Sequence, residues 1–335
     1  MKHRFHKIVI LSGAAKPRSR RTCDCFYRCT VFLALSLTLT ACNRADYKKP
    51  LIAIIVPSQD NPFFKAEADA ASSRALALGY RVRIGAHDDD AYRQDNLIDA
   101  AIASNAAAII LDNAGSDSSI AAIRRATKAG IPCFLIDRPI DANGIARAQI
   151  IADNNQGARI VAQEFARALN NTGPYAELLG RESDNNAQIR TTGFHAILDA
   201  LPNLHLVSAQ SANWSQSEAF SKTETILQGH AGLRGIIAGN DTMALGAAAA
   251  VKSAGLHNIT IVGFDGSPDV VAAIRTGEID ATALQPAVLI ARTAVDEADR
   301  FLKTGATNQP ERQVIACDLV TAANASHYAN FERIP

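Results

Sequence analysis

Two doubly wound α/β lobes, each a parallel sheet covered by helices and the pair joined by a three-strand hinge, are the fold this sequence predicts. Short β-rich runs alternate with Ala-rich helical stretches from Pro50 onward, the pattern of parallel strands linked by crossover helices. The alternation then repeats in the same order over the second half. Polar residues close the runs at matching places: the third runs end "LDN" and "GND", the fourth "IDR" and "GFDG". A chain of 335 residues is also longer than the ~250–300 residues at which one core stops growing.

The first half supplies "LIAIIVPS" (51–58), "YRVRIGA" (80–86), "AAAIILDN" (106–113) and "IPCFLIDR" (131–138) as strands. Helical spacing fills 63–78, 93–104 and 117–129, with Gly79 and Gly130 placed as C-terminal caps. The second half supplies "YAELLGR" (175–181), "LHLVSAQ" (204–210), "GIIAGND" (235–241), "ITIVGFDG" (259–266) and "DATALQ" (280–285), separated by helices near 187–200, 217–229, 242–254 and 268–275. The last strand of each half is followed by elements that complete the other lobe. The chain is therefore expected to cross near 153–154, 285–286 and 317–318, giving a first lobe of 50–153 plus 286–317 and a second of 154–285 plus 318–335. Loops at the carboxyl ends of such sheets are where ligands bind.

Residues 1–41 read as a leader. Arg18, Arg20, Arg21 and Arg28 precede the apolar run "VFLALSLTLTA" (31–41), which is well short of the ~20 residues of a membrane span. The run ends "LTAC", which resembles a bacterial lipoprotein cleavage box; the expectation is lipidation at Cys42 with 42–49 as a tether, the alternative an ordinary signal peptide. Cys133 and Cys317, the two cysteines after the leader, suit buried thiols, with a pairing across the fold left open. A formal charge of +1 and the lack of a dense Lys/Arg block after residue 50 argue against a nucleic-acid partner. No Cys/His spacing suggests a metal, no GxGxxG or GxxxxGKS loop a nucleotide, and no GxSxG or HExxH a hydrolase. "HDDD" (87–90) reads as a solvated loop.

The strand tips carry the candidate site. "PCFLIDRP" (132–139) delivers Asp137 and Arg138 at the end of an apolar run. "SQDNPFF" (58–64) offers the amide of Asn61, then Phe63 and Phe64, of which one can face the core and the other a cleft. "SANWSQ" (211–216) carries Trp214, either a cleft wall or a core plug. Flat apolar faces beside Asp, Asn, Arg and Gln suit a small polyhydroxylated molecule, whose hydroxyls gain about 1.5–3 kcal/mol from each charge-assisted bond. On this reading Asp137 accepts from and Arg138 donates to adjacent hydroxyls, and Arg138→Ala is expected to weaken binding by roughly 2–4 kcal/mol while the fold survives.

From about residue 50 onward the chain resembles the periplasmic sugar-binding proteins of ABC importers, the ribose-binding type of periplasmic binding protein type I. "NPFF" (61–64), "IDR" (136–138), "RTTGF" (190–194), "GNDTMALG" (239–246), "VGFDGSPD" (262–269) and "ATALQP" (281–286) carry the resemblance across both halves. It implies two lobes closing on a sugar, with Asn61, Phe63, Phe64, Asp137 and Arg138 as contacts from the first lobe. Arg190, Trp214 (where ribose binders have Phe), Asn240, Asp265 and Gln285 would contribute from the second lobe and the hinge. One departure is Asp112, followed by Asn113, where the ribose binder has Asn. A carboxylate only accepts, so ribose gives way to a wider set of pentoses, hexoses and short polyols. The implied protein is a monomer without cofactor. It is periplasmic or at the cell surface, touches the membrane only through its lipid, and serves an ABC permease and its ATPase.

The alternatives are a receptor that shows its closed form to a chemoreceptor or sensor kinase, and a sugar-converting enzyme. Against the enzyme, Arg138 and Arg190 are expected to hold Asp137, Asp265 and Asp112 ionised rather than poised near neutral pH. A repressor's effector domain would need a helix-turn-helix in the first fifty residues, where the leader stands.

Overall fold

The computed structural model describes residues 49–334. The leader and Cys42 lie outside the described residues. Among the described residues, no helix is long and apolar enough to cross a membrane.

The first sheet holds six strands: β1 (Leu51–Val56), β2 (Arg81–Ala86), β3 (Ala108–Leu111), β4 (Cys133–Ile136), β5 (Ala148–Ala152) and β11 (Arg312–Ile315). Their order is β11-β5-β4-β3-β1-β2, with every pairing parallel. β1, β3 and β4 are buried along their whole length because helices cover both faces, which is why they read as unbroken apolar runs. β2 is the edge strand and alternates Arg with apolar residues. The second sheet comprises β6 (Gly173–Leu179), β7 (Leu204–Ser211), β8 (Gly235–Ala238), β9 (Thr260–Asp265), β10 (Ala281–Leu284) and β12 (Asp318–Thr321). Its order, β12-β10-β9-β8-β6-β7, repeats the first, except that β12 runs antiparallel to β10.

In each lobe the order reverses beside the first strand, so the loops after β1 and β3, and after β6 and β8, open a crevice at the carboxyl ends of the sheet. The chain passes between the sheets after β5, after β10 and between β11 and β12. Strands β5, β11 and β12 were not picked out from the sequence. β11 and β12 are short and half-exposed, so their apolar residues do not form a run.

One core cluster joins the lobes. It runs from Ile52, Ile54 and Phe134 of the first sheet to Phe165, Val262 and Phe264 of the second. The C-terminal segment also spans them. Tyr328, in the short hairpin β13 (Tyr328–Ala329) and β14 (Glu332–Arg333), is buried in the second lobe's own core. Three residues on, Phe331 meets Phe63 of the first lobe edge-on, with ring centroids 5.5 Å apart. Cys133 and Cys317 are both free and buried, so no disulfide links them.

Candidate functional site

A small cavity lies where the two crevices face each other. Asn61, Phe63, Phe64, Asp137, Arg138, Arg190, Trp214, Asn240, Asp265 and Gln285 line it, together with Asp184, which sequence reasoning missed. Its volume is about 20 Å³, room for one or two waters, so admitting a sugar requires the lobes or their side chains to give way.

Local chemistry positions each wall. Asn61 caps the helix Pro62–Ala77, its side-chain oxygen accepting from the Phe63 amide at 3.0 Å. Asn240 caps Asp241–Ser253 through the Met243 amide at 2.9 Å. Asp184 caps Asn185–Leu198 through the Asn186 amide at 2.9 Å. Three helix N-termini thus converge on the cavity and favour partial negative charge there. The caps also use an oxygen on each residue, so Asn61 and Asn240 face the cavity with amide N–H groups to spare.

Asp137 and Asp265 occupy matching places, one just after β4 and one at the end of β9, and both hold positive φ, 56° and 127°. Such backbone is disfavoured for residues with a Cβ and persists only where surrounding structure enforces it. Trp214 adopts left-handed backbone as well, at φ 64°. Its ring lies so close to Gly180 that a Cβ there would come within 2.0 Å of it. Trp214 is thus both cleft wall and plug.

Arg190 is gripped by aromatic faces and acceptors together. Its guanidinium sits 3.9 Å from the Phe264 ring centroid and 5.3 Å from that of Trp214. It donates to Asn154 Oδ1 at 2.7 Å, to the Gly239 carbonyl at 2.8 Å and to Asp265 Oδ1 at 3.3 Å. Gln285 donates to the same Asp265 oxygen at 2.8 Å.

Arg138 is buried and lies 5.0 Å over the Phe64 ring. Four carboxyl groups surround it: Asp89 at 2.7 Å, Asp184 at 2.9 Å, Asp112 at 3.5 Å and Asp137 at 3.9 Å. The "HDDD" segment is therefore only half solvated: Asp88 and Asp90 are exposed, His87 and Asp89 are not. His87 is fully buried, with Nε2 at 2.8 Å from the Asp112 carbonyl, and Asp89 is an Arg138 partner. Burial pushes the His87 ring down to about 4, so it stands neutral and donates to that carbonyl.

The structure does not bring Asp112 to the cavity wall. It stands behind Arg138 and contacts Glu67, a fully buried carboxyl on the helix beneath Phe63. Burial raises both groups well above the usual carboxylate range, and each raises the other or is raised by further carboxylates. Burial and neighbouring carboxyls both disfavour the charged form, so Glu67 and Asp112 hold their protons more tightly than ordinary carboxylates. Asp112 is then no simple acceptor, contrary to the reading from sequence. The argument that the arginines keep the site carboxyls ionised also fails. Asp137 and Asp265 are pushed up to about 7, because burial outweighs the neighbouring guanidinium groups.

Besides Arg138 Nε, whose only neighbours are ion-pair carboxylates, three buried polar atoms on the cavity-lining residues have no hydrogen-bond partner: Arg138 Nη2, Trp214 Nε1 and Gln285 Oε1. Two donors and one acceptor, contributed by both lobes and the hinge, stand among aromatic rings. A buried polar group without a partner costs roughly 1–3 kcal/mol, which a polyhydroxylated ligand would recover. Among the described residues no His, Cys, Asp or Glu cluster has an arrangement that holds a metal ion.

Comparison with known proteins agrees with this architecture. Residues 52–307 match the family model described as a periplasmic binding protein domain. The D-apiose import binding protein of Paraburkholderia graminis is 55% identical over 89% of this chain and 96% of its own length. That of Actinobacillus succinogenes is 50% identical over 89% and 96%. The ribose import binding protein of Bacillus subtilis is more distant, at 31% over 82% and 92%. Among solved structures, an ABC transporter solute-binding protein of Actinobacillus succinogenes with bound D-allose superposes with a TM-score of 0.78. It is 27% identical and covers 84% of this chain and 100% of that one. The chain belongs to the periplasmic binding protein domain family.

Proposed function

We propose that this chain is the extracytoplasmic sugar receptor of an ABC importer, and that it captures D-apiose between its lobes and delivers it to a membrane permease driven by an ATPase. The observation that carries this reading is the interlobe cavity, where Arg138, Trp214 and Gln285 present unpartnered donors and an acceptor between aromatic rings. Such a surface matches a ring with apolar C–H faces and hydroxyls on its rim. The choice of the branched pentose D-apiose is supported by the two relatives at 55% and 50% identity, both D-apiose import binding proteins. Asn61, Phe63, Phe64, Asp137, Arg138, Arg190, Trp214, Asn240, Asp265 and Gln285 are the proposed contacts. Near neutral pH, Asp137 and Asp265 can each donate or accept, according to the hydroxyl they meet. The protein acts as a monomer that binds without turnover, held to the membrane by lipid on Cys42.

Calorimetry of the mature protein with D-apiose, D-ribose and myo-inositol tests the ligand. D-apiose is expected to bind about tenfold or more tighter than D-ribose, a difference of about 1.4 kcal/mol. Equal affinity for the two pentoses, or none for any of the three, overturns the assignment. Incubation of the same samples should yield no new product. Intact mass of membrane-extracted protein should show a diacylated N-terminal Cys42.

A further inference from the structure

The charged groups at one edge of the cleft form a chain that leaves the second lobe and returns to it. Arg181, in the loop after β6, pairs with Asp89 of the first lobe at 3.3 Å. The other oxygen of Asp89 accepts from Arg138 Nη1 at 2.7 Å. Arg138 Nε then meets Asp184 Oδ2 at 2.9 Å, back in the second lobe. This last contact and the Arg181–Asp89 pair are ion pairs rather than aligned hydrogen bonds, since neither Nε has a partner of proper angle. Both ends of the chain sit on one short segment, 181–184, just before the helix Asn185–Leu198.

The same segment makes further bonds across the cleft. The Ser183 carbonyl accepts from the Ser116 amide at 3.2 Å, and Asn185 donates to Asp141 at 2.7 Å. Asn186 donates to Asp137 at 3.3 Å.

From this arrangement we infer that Arg181 and Asp184 are positioning residues. They fix the Arg138 guanidinium from the opposite lobe, so the first lobe's main cation is fully oriented only when the lobes are shut. The physical reason is division of labour within one guanidinium. Asp89 holds Nη1 and Asp184 lies against Nε, which leaves Nη2 unpartnered. When the lobes part, Asp184 and Arg181 leave with the second lobe. Arg138 then keeps Asp89 and the Asn113 carbonyl on Nη1, both on the first lobe, while Nε loses its nearest partner and keeps only Asp112 at 3.5 Å and Asp137 at 3.9 Å. Ligand held by Nη2 in the shut form is therefore retained in part through Arg181, which does not line the cavity, and through Asp184, which does. Retention, rather than capture, is what the chain governs.

This inference rests on the sugar-receptor reading, and the test separates the two. Arg181 does not line the cavity, so Arg181→Gln leaves the proposed ligand contacts intact. With D-apiose as the probe in stopped-flow tryptophan fluorescence, Arg181→Gln is expected to raise the dissociation rate about fivefold. Asp184→Asn keeps a helix-capping oxygen while removing the charge, and is expected to raise it about thirtyfold. Arg181→Gln, outside the cavity lining, should leave the association rate within about twofold, as loss of a contact made after encounter does. Small-angle scattering without sugar supplies a readout that needs no ligand: both variants should have a larger mean radius of gyration than wild type. Dissociation rates within twofold of wild type overturn the inference, as does an unchanged radius in the sugar-free variants. If wild type binds no sugar, the functional reading fails while the scattering arm still decides the role of Arg181 and Asp184.

Discussion

Replacing Arg138 by Ala removes the one buried cation that faces Asp89, Asp112, Asp137 and Asp184, all within 3.9 Å of it. The sequence reading expected the fold to survive this change, but the surroundings forecast otherwise. Deleting one partner of a buried charged network costs about 3–5 kcal/mol, and here one cation serves several carboxyls. Against a total stability of roughly 5–15 kcal/mol, the variant should be marginal near neutral pH. The sign of its pH dependence follows from linkage. Losing the cation raises the folded-state pKa values of Asp112 and Asp137, already above their unfolded values, still further. Stability is then retained in the acidic range and lost as pH rises through the folded values. Urea unfolding of Arg138→Ala and wild type at about pH 5 and about pH 8 should show the deficit shrinking by at least ~1 kcal/mol on the acid side. A deficit below ~1 kcal/mol at pH 8, the value of an exposed pair, would mean that Arg138 does not neutralise the cluster. A deficit independent of pH would mean that the carboxyls are not what suffers.

Three further outcomes are expected. Glu67→Gln removes one member of the buried carboxyl pair. Because the wild-type carboxyls are raised, wild type loses stability as pH climbs through their folded values; the variant should gain on it by roughly 1–3 kcal/mol at alkaline pH in the same urea assay. His195, between Glu177 at 2.9 Å and Asp199 at 3.1 Å, is raised to about 9, chiefly by its bond to Glu177. Its contribution is complete below the unfolded value and disappears as pH rises through about 9; since the ring is still reached by solvent, with 30% of it exposed, His195→Gln should cost only ~0.5–1 kcal/mol at low pH and nothing at high pH. Gly180→Ala drives a methyl into the Trp214 ring, so the fluorescence of this single tryptophan should shift. D-apiose affinity should fall about tenfold or more as the wall is displaced, an overpacking effect of roughly 1–3 kcal/mol.

What the sequence revealed and what it concealed divide along a physical line. Arg138 and Asp137 stand out because an apolar run that must be buried ends on two charges. Trp214 and the Asn61–Phe64 turn stand out because their residue types are rare or ordered in a helix-starting pattern. Asp89 and Asp184 do not stand out, because each lies in a polar stretch that, taken locally, belongs in water. They are buried by partners on other elements, and Asp184's partner is on the other lobe. The same holds for Glu67, which looks like one exposed position on an Ala-rich helix until Asp112 is placed beneath it. The edge strands β11 and β12 escaped notice because half-exposed strands of four residues leave too short a pattern to read.

The three capping residues at the cavity carry a consequence for anyone who wishes to retune this receptor as a biosensor. Asn61, Asp184 and Asn240 each hold a helix start with the same side chain that faces the ligand space. Changing any of them to alter selectivity also uncaps a helix, at about 0.5–2 kcal/mol apiece, and such losses would accumulate across a library. Phe63, Phe64 and Gln285 cap no helix, but Phe63 and Phe64 pack in the core that joins the lobes and Gln285 holds Asp265. Combinatorial variation at those three is best limited to side chains of similar volume, with the caps held fixed, so that survivors of a screen differ more in what they recognise than in whether they fold.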